Sequence, residues 1–316
     1  VIATLLDAAL ALLVLGLAAW SILARDAFAS IVGFVVFGLL LMLVWMRLGA
    51  PDVAMTEGAV SGGLGGLLLL RAHALLDRSD GHRPARPARS TRSAAALIAL
   101  LVTGGLLAAY ATLPTTPPSL ASAVEADLAS TGLGNPVNAV LIGFRALDTL
   151  LEKVVLVFAL IGVWTLCDDR AWAGRPRLVD GAAPPALAHF ARLLPPIGVV
   201  VAGSVLWNGA DETGGAFPSG AILAATALLV VLAGLATLPR IAALRPRIAV
   251  ASGPLGFFAI GLLGVPIAGA FLAFPERFAK PIVLAIEVLL VLSVAAILVG
   301  LVAGPPRGDD TKETTR

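Results

Sequence analysis

A chain of 316 residues in which 59% are hydrophobic and 13% charged, with a mean hydropathy of +0.96 and a formal net charge of +2, does not have water as its main solvent; a soluble globular domain carries roughly a quarter charged residues. The single cysteine, Cys167, excludes an intrachain disulfide, and with only His73, His82 and His189 beside it there is no ligand set for a zinc or iron–sulfur centre, so neither a metal nor another cofactor is expected. The basic residues lie in loops between apolar runs, where membrane orientation and lipid head groups account for them, and no nucleic-acid partner is expected.

Apolar runs long enough to cross about 30 Å of hydrocarbon recur along the chain. They predict helices over 2–23, 27–47, 51–71, 94–113, 138–166, 190–207, 216–238, 249–272 and 281–303. The fold class is therefore all-α, a polytopic membrane protein of about nine transmembrane helices in three consecutive small bundles. The first run has no basic leader and no clear cleavage site, and a second span follows at once, so it reads as a retained helix. Two stretches divide the chain, an Arg/Pro-rich one near 72–93 and a Gly/Pro-containing one near 168–188. The loop over 114–137 carries Glu125 and Asp127 and no basic residue; Pro117 and Pro118 prevent it from crossing, and a short surface helix is expected there. Arg71, Arg78, Arg83, Arg86, Arg89, Arg92, Arg170, Arg175, Arg177, Arg240, Arg245 and Arg247 all fall on one side under strict alternation. The positive-inside rule then puts the N-terminus outside and the C-terminus in the cytoplasm.

The informative residues are ionisable groups at membrane depth, each costing about 2.5 kcal/mol or more unless paired, hydrated or neutralised. In the third span Asp52 and Thr56 share a helical face, and Glu57 follows beside a run of glycines. A carboxylate next to a deformable helix can take up a proton or cation; capping by Asp52 and a cross-helix bond from Glu57 are the structural alternatives. In the fifth span Arg145, Asp148, Thr149 and Glu152 stand at offsets of three, four and seven, with Lys153 adjacent. They form either a neutralised structural tie or part of a charged axis. Glu287 lies inside the last span with no basic residue of that helix at its depth. Between the sixth and seventh spans Asp211, Glu212, Gly214, Gly215 and Phe217 make a glycine-rich turn, which lacks the lysine of a phosphate loop and follows a helix. No nucleophile, base or metal constellation of an enzyme is present in the sequence.

The stretch LGAPDVAMTEGAVSGGL resembles the C-terminal region of the A subunit of Mrp-type sodium/proton antiporters and a small subunit of membrane-bound hydrogenases. The pattern Arg145, Asp148, Thr149, Glu152 is similar to the hydrogenase E-like segment that follows it, and from about residue 190 the chain resembles the antiporter B subunit through Gly214, Gly215, Ala216, Phe217 and Glu287. The resemblance divides the chain into a hydrogenase D-like three-helix bundle over 1–80, an E-like two-helix segment over 90–170, a B-like four-helix bundle over 185–305 and a polar tail over 306–316. Two departures stand out: ADET at Ala210 to Thr213 replaces the usual His and Pro ahead of the glycines, and Gly143 replaces a frequent Asp.

The resemblance implies a transport subunit rather than an enzyme, in the bacterial cytoplasmic (inner) membrane, with other subunits of an Mrp-like antiporter or complex I-like assembly as partners and Na+ or another monovalent cation and H+ as cargo. It makes Asp52, Thr56 and Glu57 candidates for cation contact, with Glu57 the principal carrier. The alternative is a membrane-arm subunit of a hydrogenase-type oxidoreductase.

Overall fold

The computed structural model describes residues 2–78, 89–114, 119–167, 174–176, 178 and 183–305. His82, Arg83, Arg86, Pro117, Pro118, Arg170, Arg177 and the tail over 306–316 lie outside the described residues. Those described form helices and their connections, with no strand among them.

Helices α1 (Ile2–Leu23) and α2 (Ala27–Arg47) form an antiparallel hairpin. Asp26 caps α2 by accepting from the Ala29 amide at 2.8 Å, which satisfies one of the donors that a helix start leaves open. The far end is tied by Arg47 Nε donating to Asp7 at 2.9 Å. Helix α3 (Pro51–Glu57) starts at a proline, whose missing donor costs nothing in the first turn, and runs into a π-helical segment (Gly58–Gly65) and then α4 (Gly66–Arg78). The widened turn begins directly after Glu57, in the glycine run.

Helix α5 (Arg89–Ala111) has every described residue exposed, so its sides are left to lipid or to other chains. The expected surface helix is present as α6 (Ala121–Asp127) with a 3₁₀ turn (Leu128–Thr131). A second π segment (Ala139–Phe144) follows the single turn α7 (Pro136–Asn138) and ends at Arg145, whose φ of −126° and ψ of 36° break the helix before α8 (Ala146–Trp164).

The remaining helices are α9 (Pro185–Asn208), α10 (Ala216–Leu232), α11 (Leu244–Ala268) and α12 (Ala279–Ala303). α12 is the axis of this half of the molecule: half of its span is buried, against none of α1 or α5. α8, α10 and α11 all lie against it. Ala139, Ile142, Ala146 and Leu150 share one core with Phe257, Val283, Ile286 and Leu290. The second and third segments of the chain are therefore one packed body rather than separate bundles. The reason lies in α8, whose apolar inner face has no other helix of its own segment to cover it, because α5 stands clear.

Among the described residues, seven helices are long and apolar enough to cross a membrane. Of the other two expected crossings, α10 has 17 residues, which at 1.5 Å per residue spans about 26 Å. The stretch 138–166 is divided at Arg145 and carries Asp148, Glu152 and Lys153.

In lipid, helices associate through close packing and polar contacts rather than through expulsion of water. Gly220 of α10 shows this, because a Cβ there would lie 2.8 Å from Val294 Cγ1 and 3.2 Å from the Val291 carbonyl oxygen of α12. Gly220→Leu should separate α10 from α12 and cost about 1–3 kcal/mol, seen as a lower melting temperature of the purified protein in detergent. Gly104→Leu on α5, where a Cβ meets nothing within 4 Å, should leave it unchanged.

Candidate functional site

Separate parts of the chain converge on one cavity of about 420 Å³. α3 supplies Asp52 and Thr56, the α7 region supplies Asn135 and Asn138, α8 supplies Thr149, Glu152 and Lys153, the turn before α10 supplies Gly214 and Gly215, the first turn of α10 supplies Phe217, and α12 supplies Glu287.

The geometry starts from the turn between α9 and α10. The amides of Gly134 and Asn135 both donate to the Ala210 carbonyl, at 3.0 and 3.1 Å, and the Gly215 amide donates to the Val205 carbonyl at 3.0 Å. Gly215 has φ of +114° and ψ of −177°, a region open essentially to glycine alone. A Cβ on Gly209 would collide with the backbone nitrogen of Gly215. The turn is thus folded onto itself too tightly for side chains, which is what the glycine run provides. It is a compact turn and not a re-entrant helix.

Asp52 clamps this turn from the other half of the molecule. Its Oδ1 accepts from the Gly214 amide at 3.0 Å and from Asn135 Nδ2 at 3.3 Å. Asn135 Nδ2 also donates to the carbonyls of Glu212, at 2.7 Å, and Gly209, at 3.3 Å, while its Oδ1 caps α7 by accepting from the Val137 amide at 2.9 Å. Thr56 donates to the Asp52 carbonyl at 3.1 Å.

Glu287 stands on the opposite wall, 1% exposed. Oε1 accepts from Asn138 Nδ2 at 3.2 Å, and the same amide donates to the Gly209 carbonyl at 3.0 Å. Oε2 is buried with no hydrogen-bond partner among the described residues. On α8, Lys153 Nζ lies 2.7 Å from Glu152 Oε1 and 5.4 Å from the centroid of the Phe217 ring, and Thr149 donates to the Leu141 carbonyl at 2.6 Å. The arrangement offers carboxylate and hydroxyl oxygens, with one ammonium, around a space large enough for several water molecules or a partly hydrated cation.

Not every residue singled out in the sequence reaches this cavity. Glu57 does not line it; its Oε1 accepts from the Ser61 hydroxyl one turn on in the same span. Arg145 and Asp148 pair with each other at 2.5 Å, both more than half exposed. Thr149 and Glu152 of α8 line the cavity, while Arg145 and Asp148 keep to the outside. Asp211 pairs instead with Lys280 at 2.5 Å, and Glu212 takes part through its backbone carbonyl. Sequence reasoning missed Asn135 and Asn138. The signal was present in Gly-Asn-Pro, an asparagine helix cap with proline in the next position.

Residues 12–78 match the MbhD family model, the D component of MBH, and residues 186–304 match the domain related to MnhB subunit of Na+/H+ antiporter. One chain thus carries an MbhD-like segment followed by an MnhB-related one. Among solved structures, this chain is similar to one from the Mrp complex of Dietzia sp. DQ12-45-1b, with 23% identity, a TM-score of 0.73 and 95% of this chain covered. At that identity the likeness is one of fold, and the chain spans only 35% of that Mrp chain. It is also similar to a chain of the archaeal membrane-bound sulfane sulfur reductase, with 27% identity and a TM-score of 0.55, over 67% of this chain and 96% of that one. No curated protein matches it.

Asn135 holds the turn between α9 and α10 by its carbonyls and caps α7 at once. Asn135→Ala should lower stability by about 1–2 kcal/mol. Hydrogen exchange should show faster exchange at the Gly214 and Gly215 amides, with those of α11 unaffected.

Proposed function

We propose that this membrane subunit contributes the cavity between α3, α8, α10 and α12 to the ion path of a monovalent cation/proton antiporter assembled with other subunits. The observation that carries the reading is the buried Oε2 of Glu287 beside that cavity, which has no hydrogen-bond partner among the described residues. A carboxyl group held away from bulk water requires a proton, a cation or an opposite charge, and exchange between the first two is the elementary step of antiport. Asp52 and Thr56 provide hard oxygen ligands suited to a monovalent cation, Glu152 and Lys153 the lateral continuation. Glu57, the sequence-based choice of carrier, acts in this reading as a group of the π-helical hinge. The chain's share in antiport thus lies in Glu287.

The membrane is the bacterial cytoplasmic one, with the N-terminus outside. Arg175 Nη1 donates to Thr237 at 3.0 Å, so the loops after α8 and α10 lie on one side, as alternation requires. The Asp7–Arg47 and Asp211–Lys280 pairs mark the other side. The likeness to the sulfane sulfur reductase chain favours a second reading, in which the same cavity serves an oxidoreductase whose redox centres lie on other subunits.

Purification of the intact complex with identification of its subunits by mass decides between the two: antiporter subunits alone support the first, iron–sulfur subunits the second. In vesicles, Glu287→Gln should lower cation-coupled proton flux by about tenfold or more, a barrier change of at least about 1.4 kcal/mol, with assembly intact. Glu57→Gln should have the smaller effect. Full flux in an assembled Glu287→Gln complex would refute the assignment.

A further inference from the structure

Lys153 is buried, its side chain 5% exposed, and its ammonium has one carboxylate partner, Glu152, which is itself 51% exposed at the rim. The ring of Phe217 lies 5.4 Å from Nζ and belongs to the first turn of α10, directly after the turn that Asp52 clamps. The titratable groups lining the cavity are Asp52, Glu152, Glu287 and Lys153, three acids and one base. Of the acids only Glu152 forms an ion pair with Lys153 among the described residues. The base therefore sits against one wall of a space whose other carboxyls, Asp52 and Glu287, have no basic side chain paired with them among the described residues. An ammonium on a flexible four-carbon stem can move several ångströms by rotamer change. Any monovalent cation entering the cavity meets it as a like charge in a poorly screened site.

We propose that the Lys153 ammonium is the resident counter-cation of this cavity and competes with the transported monovalent cation for its carboxylates. With the cavity free of metal ion, the ammonium swings from Glu152 towards Asp52 and Glu287 and offsets one of their two charges. When a cation enters, it returns to the Glu152–Phe217 station, where the carboxylate and the ring face hold it. Phe217, at the start of α10, is then the parking position. This rests on the reading of the cavity as the ion path, and it adds a specificity device to it: the apparent cation affinity is set by the balance between two stations of one tethered charge.

The test is titration of cation-coupled proton flux with Na+, and separately with K+, in vesicles containing the intact complex. Lys153→Met keeps the stem length and removes the charge, and should lower the half-saturating concentration of the transported cation by about fivefold or more, the scale of one like charge removed at several ångströms. Lys153→Arg should keep the wild-type value to within about twofold, because the competing charge remains. Phe217→Leu weakens the parking station and should shift the value the opposite way, raising it about two- to fivefold.

A structural role for Lys153 and Phe217 would move both variants in the same direction, which would overturn the proposal, as would an unchanged value in assembled Lys153→Met. If Lys153→Met does not assemble, Phe217→Leu decides: a raised value supports competition, and a lowered or unchanged one contradicts it. Loss of flux in Glu287→Gln together with an unmoved Lys153→Met would remove only this inference. Normal flux in Glu287→Gln would remove the cavity reading on which it stands.

Discussion

A carboxyl group in the most buried stretch of the most buried helix constrains everything around it. α12 is apolar on all sides, and hydrocarbon or packed side chains surround most of its length, so Glu287 has no cheap way to remain there. The chain meets this constraint by bringing two backbone-holding asparagines, a turn closed by glycines and the polar edge of α8 to its level. Asn138 illustrates the economy of the arrangement: one side-chain amide satisfies a carbonyl of the turn and one oxygen of Glu287 together. The second oxygen is left to whatever occupies the cavity.

The same site couples the two halves of the molecule. Asp52 belongs to the segment matching the MbhD family, and the Gly214 amide it accepts from belongs to the segment matching the MnhB-related domain. In lipid, where apolar surfaces gain little by pairing, a charge-assisted hydrogen bond across such a junction fixes register more effectively than area does. Because both segments belong to one chain, these two partners stay together without relying on association between separate chains. The π segments sit next to this junction on both sides, after Glu57 and after Asn138; widened turns of this kind recur where helices carry function.

Much of this was legible in the sequence, and the parts that were not have identifiable causes. Apolar runs revealed the spans because no other backbone arrangement survives in hydrocarbon. Asp52, Glu152, Lys153 and Glu287 stood out because charge is costly there, and those residues line one cavity. What the sequence pattern did not separate was which members of the charged column meet the cavity: Arg145 and Asp148 pair with each other outside it, while Thr149, Glu152 and Lys153 of the same helix line it. Glu57 drew attention by its glycine-rich surroundings, yet the local bond to Ser61 keeps it in its own span. Asn135 and Asn138 escaped notice because uncharged amides carry no comparable penalty, and their partners lie more than seventy positions away in the chain, at Gly209. The merging of α8 into the last bundle likewise depends on α5 standing apart, which hydropathy does not encode.

The central claim is that Glu287 faces a hydrated, ion-accessible space rather than a sealed apolar one. Its most direct test is an electron cryo-microscopy structure of the assembled complex at a resolution that shows ordered water. The account predicts water or cation density within hydrogen-bonding reach of Glu287 Oε2, continuous with density near Asp52 and Glu152. An apolar helix or acyl chain filling the cavity and leaving that oxygen dry would contradict it.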